Sequence, residues 1–361
     1  MIKRNLIIIR HFGLAQINNS FSGANYLPYS VGLLQVYAEK HLKQSDRFEF
    51  LLPLYKRCKV DDGVKHFNST DLVGFSLYVW NELLSLEILR RLKESNPEKL
   101  VICGGPQVPD NAEEFLRKNP QVDIAVHGEG ENTFLKILEA YPENDWSDIP
   151  GISWIDPSGK FISHAKSDRM RDLSVIPSPY LENVFEPLLS LDSNAEWLAL
   201  WETNRGCPFA CTFCDWGSAI RSKVFAFDLD RLYQEIEWFA QNKIEYVYCC
   251  DANFGILPRD LDVANYIAEA KRKHGYPNAM AVHNTKNATE RAYQVMKVLA
   301  GASLTKGVGL ALQSTDPATL EAIKRANISQ VSYQELQRRF TEEGIETYSE
   351  LILALPGETY D

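Results

Sequence analysis

The chain has 361 residues, 45% hydrophobic and 24% charged, with a formal net charge of −10. That mix excludes wholesale disorder and leaves room for two domains, each with its own core. An acidic balance argues against a nucleic-acid partner, whose footprint is a basic face.

No apolar run nears the ~18 residues of a membrane span. The run Leu6–Ile9 is too short for a signal-peptide core. The expectation is a cytoplasmic protein without a membrane partner. Seven cysteines, three of them crowded into one loop, are not a secreted disulfide framework and suggest metal binding.

RNLIIIR reads as a buried first strand, with HFGLAQINNSFSGANYLP as the loop after it. An amphipathic helix is expected over Tyr29–Gln44. FEFLL, DLVGFSLYV, KLVICGG and VDIAVHG read as the next strands. Helical patterns cover Asn81–Glu94, Asn111–Lys118 and Glu131–Ala140. The alternation predicts an α/β, doubly wound, Rossmann-like parallel sheet over residues 1–140. Ligands on such sheets sit outside the carboxyl ends of the strands.

Residues 141–195 read as a linker with a β-hairpin, GISWIDPSGKFISH, turning at Asp156–Gly159. The segment IPSPYLENVFEP is expected to be extended. Residues 196–361 alternate again. Strands are expected at WLALWETN, EYVYCC, NAMAVHN, TKGVGLAL and ETYSELILAL, with helices between them. This predicts a partial (β/α) TIM-type barrel with its site at the strand C-termini. Only LPGETYD follows the fifth strand, so the sequence reads as truncated at its C-terminus.

The loop after the first barrel strand, NRGCPFACTFCDW, carries Cys207, Cys211 and Cys214 at C-x3-C-x2-C spacing. Structural zinc wants four closed ligands, and no fourth Cys or His stands near. An iron–sulfur cube wants one thiolate per iron, so three thiolates leave one iron open for chemistry. With Arg205-Gly206 before the first cysteine, Pro208 after it and Phe213 before the last, the run resembles the RGCP-x-x-C-x-F-C pattern of the radical S-adenosylmethionine (SAM) superfamily.

The resemblance implies a [4Fe-4S] cluster whose free iron chelates SAM. An electron from the cluster, supplied by a donor such as flavodoxin or ferredoxin, would cleave the cofactor to a 5′-deoxyadenosyl radical. It further implies that Phe213 shields the adenine or the cluster. Asp251 and Asn253 of DANF are expected to meet the methionyl part, and Gln313, in place of the usual Glu, the ribose. Cys249 and Cys250 are expected to be packing residues. Glu350 either faces the lumen or points to solvent. No catalytic side chain is assigned beyond the cluster.

In the first domain no G-x-G-x-x-G follows the first strand. Gly74-Phe75-Ser76-Leu77, Cys103-Gly104-Gly105-Pro106 and His127-Gly128-Glu129-Gly130 end the third, fourth and fifth strands. With the IPGISW…IPSPY linker, the set resembles the cobalamin-binding domain of one large branch of that superfamily. Small residues would let a corrin and its tail approach the backbone. The implied binding residues are Ser76, Leu77, Gly104, Gly105, His127, Gly128, Glu129 and Gly130. No D-x-H-x-x-G run places a histidine on cobalt, so cobalamin is expected base-off, without a protein His ligand, and His127 near its tail.

The activity implied is methyl transfer to an unactivated carbon of a small molecule. Ring closure or rearrangement would use the same cofactors. A methylthiotransferase would resemble the second domain but carry three more cysteines in the first, where only Cys58 and Cys103 stand.

Overall fold

Arg10–Asn18 forms strand β1, and every residue from Phe12 to Asn18 is buried. From His11 on this is the segment read as a loop, and it is strand instead; the expected strand before it lies outside the described residues up to residue 8. Of the run Leu6–Ile9 only Ile9 falls within the described residues, and it is 55% exposed. Two residues disguised the strand. Gly13 lies against the Phe67 ring, with no room for a Cβ. Gln16 is buried because its Oε1 accepts both the N–H and the hydroxyl of Ser30, each at 2.8 Å.

The computed structural model describes residues 9–191, 194–214, 216, 222–285 and 290–359. It divides into two units: residues up to Met170 with Val175–Glu196, and Arg171–Ser174 with the chain from Trp197.

After β1 the first unit adds a two-residue β2 (Asn25–Tyr26), α1 (Tyr29–His41), β3 (Phe48–Phe50) and β4 (Leu54–Lys56). Then come α2 (Val60–His66), β5 (Leu72–Ser76), α3 (Glu82–Ser95) and β6 (Leu100–Gly104). It continues with α4 (Glu113–Lys118), β7 (Ile124–Val126), α5 (Gly130–Ala140), β8 (Ile152–Ile155), β9 (Phe161–Ser163) and α6 (Glu186–Leu191).

The sheet order is β3-β1-β5-β6-β7-β8-β9, with β4 also on β1. From β3 to β7 all pairs are parallel. Side chains alternate between two cores, as the period of 2 of a strand requires. Ala15, Ile17, Val73, Phe75, Val101 and Cys103 face one side with Ile88, Leu89 and Leu92 of α3. Phe12, Leu14, Leu72 and Ile102 face the other with Val31 of α1 and Ile137 of α5.

The hairpin expected inside a linker is part of this sheet: Ala125 of β7 pairs antiparallel with Ser153 of β8. The proline-rich segment is not extended throughout either, since α6 begins within it.

The second unit runs β10 (Trp197–Trp201), β11 (Asn204–Arg205), β12 (Phe225–Ala226), α7 (Leu229–Gln241), β13 (Tyr246–Cys249), α8 (Asp260–His274) and β14 (Ala279–Ala281). It closes with α9 (Glu290–Gly301), β15 (Gly307–Gly309), α10 (Pro317–Ala322), α11 (Gln330–Glu342) and β16 (Glu346–Tyr348). Strands β10, β13 and β14 pair in parallel, and β15 pairs in parallel with β16. This is a partial (β/α) barrel. The last strand is shorter than ETYSELILAL suggested, continuing only as an isolated bridge between Gln313 and Leu351.

Candidate active site

The cysteine loop is fixed at its stem. Asn204 and Arg205 of β11 pair antiparallel with Ala226 and Phe225 of β12. Between stem and first cysteine sits Gly206 at φ 130°, where a Cβ would collide with the Lys223 carbonyl and come within 2.9 Å of Val224 Cα. Arg259 ties both ends, donating to the carbonyls of Thr203 (2.7 Å) and Phe227.

Asp251 secures the same turn from the end of β13. It accepts the Thr203 N–H (2.8 Å), the Asn204 N–H (3.2 Å), the Asn204 side-chain amide (2.7 Å) and the Thr203 hydroxyl. Burial pushes its carboxyl up to about 7 against these donors. Its oxygens are therefore engaged with the loop.

Cys207 and Cys211 are buried and Cys214 is half-buried. Asp215 and residues 217–221 lie outside the described residues. Thr212 N–H donates to the Ile323 carbonyl at 2.9 Å, which brings the segment after α10 to the loop. Arg325 from that segment is buried, and its guanidinium is hydrogen-bonded to Cys211, within range of the Cys214 charge. It is held by the carbonyl of Ala311 and the Asn327 side chain, both at 2.6 Å. Nothing in IKRAN marks Arg325 among its neighbours, so no local signal in the sequence points to it.

Asn253 donates from Nδ2 to Cys207 Sγ at 3.2 Å, while its buried Oδ1 has no partner. Among the described residues no three His, Cys, Asp or Glu side chains converge as a single ion would require. A cube instead places each thiolate on a different iron. Three soft thiolates with N–H donors beside them fit that group.

A cavity of about 220 Å³ opens beside the loop, lined by Cys207, Phe213, Cys214, His283, Gln313 and Glu350. All of these but His283 stand out in the sequence. Gln313 holds φ 65°, a strained conformation for a residue with a side chain. Its backbone is fixed by hydrogen bonds to the Glu350 carbonyl and from the Ile352 N–H, both 2.9 Å. His283 is bonded to the Tyr248 hydroxyl at 2.7 Å. Burial lowers its pKa. Cys249 is fully buried as a packing residue.

In the first unit the parallel strands β5, β6 and β7 bring their three motifs to one edge. β1 lies between β3 and β5, the arrangement of flavodoxin-like sheets, whose ligand crevice opens at that point. Leu77 is a packing residue, buried and donating to the Gly104 carbonyl at 2.7 Å. Gly105 holds φ 98°, and a Cβ there would lie 2.6 Å from the Leu77 oxygen. Ser76 meets the Ser30 hydroxyl at 3.3 Å.

Glu129 accepts from Arg169 Nε (3.1 Å) and the Met170 N–H (2.7 Å) just before Gly130 opens α5. His127 Nε2 bonds Ser153 Oγ at 2.8 Å, and its Nδ1 has no partner. Burial, then Lys166, lowers its pKa. Asn18 at the end of β1 is 6% exposed with Nδ2 unpartnered.

Gly104 and Gly128 have nothing within 3.6 Å of where a Cβ would stand, their nearest atoms being at 3.7 and 3.9 Å. Open backbone and unpartnered buried polar atoms at one edge fit a flat ligand rich in amides.

Residues 201–361 match the radical SAM superfamily, and residues 56–138 match the B12 binding domain. The chain belongs to the B12-binding radical SAM family. Membership implies a [4Fe-4S] cluster, SAM and cobalamin.

This radical SAM chain is 40% identical over 346 residues to "2-(S-pantetheinyl)-carbapenam-3-carboxylate methyltransferase" of Streptantibioticus cattleyicolor, covering 94% of this chain and 51% of that one. It is equally similar to "cobalamin-dependent radical SAM methyltransferase TokK" of Streptomyces tokunonensis, with 40% identity and the same 94% and 51% coverage. The chain thus spans about half the length of these curated relatives.

The solved structure of the cobalamin-dependent SAM radical enzyme OxsB, with aqua-cobalamin and SAM bound, shares the fold at TM-score 0.71 and 19% identity, covering 96% of this chain and 49% of that one. The radical SAM methyltransferase TsrM from Kitasatospora setae, with cobalamin and cluster bound, does so at 0.72 and 18%, covering 98% and 68%.

Proposed function

We propose that this chain methylates an unactivated carbon of a small molecule, as a cobalamin-dependent radical SAM methyltransferase. The observation that carries the reading is the 40% identity, over 94% of the chain, to two proteins named as methyltransferases. When bound, the cluster with SAM supplies a hydrogen-abstracting radical and cobalamin supplies the methyl group.

The protein's part is to hold and shield these groups. Cys207, Cys211 and Cys214 would hold the cluster. Asn253 Oδ1, a buried acceptor without a donor, suits the amino group of SAM. Gln313 would bond a ribose hydroxyl through its carbonyl. Phe213, Met296, Leu336 and Phe340 line the cavity with apolar surface, which would help keep water from the radical.

Cobalamin would lie on the β5–β7 edge of the first unit, base-off and without a protein histidine. That reading rests on the sequence, which has no D-x-H-x-x-G run to place a histidine on cobalt. His11 stands at the start of β1, so the length of the strand separates it from the C-terminal edge. The electron donor would be a flavodoxin or ferredoxin. The described residues include all seven cysteines and hold no disulfide, which suits a reducing, cytoplasmic compartment. Among the described residues no helix is long and apolar enough to cross a membrane.

The test is anaerobic turnover of reconstituted protein with cobalamin, reductant and SAM carrying a deuterated methyl group. A pantetheinyl carbapenam carboxylate is the first substrate to offer, given the name of the Streptantibioticus relative. Labelled product with S-adenosylhomocysteine and 5′-deoxyadenosine supports methyl transfer. Deoxyadenosine with an unlabelled, altered substrate would move the reading to ring closure. A cob(II)alamin signal with nitrogen splitting would overturn the base-off assignment.

A further inference from the structure

Asn253 is 1% exposed, and its side-chain amide makes one hydrogen bond among the described residues, to Cys207 Sγ at 3.2 Å. The orientation of that amide follows from chemistry. A thiolate only accepts, so the NH2 face must meet it; the opposite flip would set two acceptors together.

The backbone that follows Asn253 is fixed. Phe254 N–H donates to the His283 carbonyl at 2.7 Å, Thr285 N–H to the Phe254 carbonyl at 3.1 Å, and Gly255 N–H to Asp260 Oδ2 at 2.8 Å. The donor is therefore held in place before any cofactor arrives.

We propose that Asn253 is a positioning residue for the Cys207 thiolate, and that its N–H···S bond raises the reduction potential of the cluster. This rests on the reading that the three cysteines hold that cluster. Reduction adds negative charge to the cube and its sulfurs. A fixed donor stabilises the reduced form more than the oxidised one, and burial keeps water from competing. Arg325 donates to Cys211, and Asn253 gives Cys207 a donor of its own.

The test is an EPR-monitored redox titration of reconstituted protein without SAM or cobalamin. Wild type is compared with Asn253→Leu, Asn253→Asp and Asn253→His. The Leu and Asp variants are expected to keep four irons and titrate at lower potential. The reduced-to-oxidised ratio at a fixed ambient potential should fall about tenfold, a shift of about 59 mV for one electron. Asn253→His, whose Nδ1–H can replace the amide donor, is expected to recover most of the shift.

Unchanged midpoints in the Leu and Asp variants overturn the proposal. Folded variants that no longer hold four irons also overturn it, since Asn253 would then build the site without tuning it. Wild-type protein without any cluster overturns the underlying cofactor reading instead, before the variants are compared.

Discussion

Asp251, at the end of β13, accepts the backbone N–H of Thr203 at 2.8 Å. One strand of the second unit thereby sets the turn from which the cysteine loop of another departs. Its carboxyl, pushed up to about 7 by burial from 3.8, favours the protonated form in the fold. Its contribution to stability is full below about pH 4 and is lost as pH rises through about 7. The urea midpoint of wild type relative to Asp251→Asn is expected to decline over that window and level off above it. A difference that instead grows with pH would refute the assignment.

Gly206 has no tolerable replacement. Alanine there combines φ 130° with a collision against Lys223. We expect Gly206→Ala to cost roughly 2 kcal/mol or more and to lower the iron content after reconstitution. Iron and sulfide assays beside chemical unfolding measure both.

Two adjacent glycines in the first unit should behave differently. Gly105→Ala drives a Cβ into the Leu77 backbone at φ 98° and is expected to destabilise the unit. Gly104→Ala meets nothing closer than Val126 at 3.7 Å. It should fold normally while weakening cobalamin binding, because its methyl group would occupy open backbone. Thermal unfolding and cobalamin absorbance after gel filtration separate the two effects.

His127 carries a pH signature of the opposite sign to Asp251. Burial lowers its pKa below 6.5, so its contribution is present above about pH 6.5 and lost as pH falls through the lower folded value. Wild type is expected to lose more thermal stability than His127→Gln on acidification from pH 7 to 5.

What the sequence revealed depended on how local each signal was. Cys207, Cys211 and Cys214 stand within one loop, so their spacing was readable directly. The segment His11–Asn18 was read as a loop because Gln16 looks polar until Ser30 comes from α1 to bond it. Arg325 comes to the cysteines with the Thr212–Ile323 contact, a pairing of distant segments that no local pattern encodes. Asp251 and Asn253 were singled out together, yet the fold sends the first to the loop backbone and the second to a sulfur.

The crevice beside β1 is a product of chain routing. The path leaving β1 crosses one face of the sheet through α1, while the path leaving β5 crosses the other through α3. Where these paths part, a gap opens whatever side chains surround it. Such a gap can outlast the drift of sequences to 19% identity, leaving the residues along its rim free to be rewritten for new chemistry.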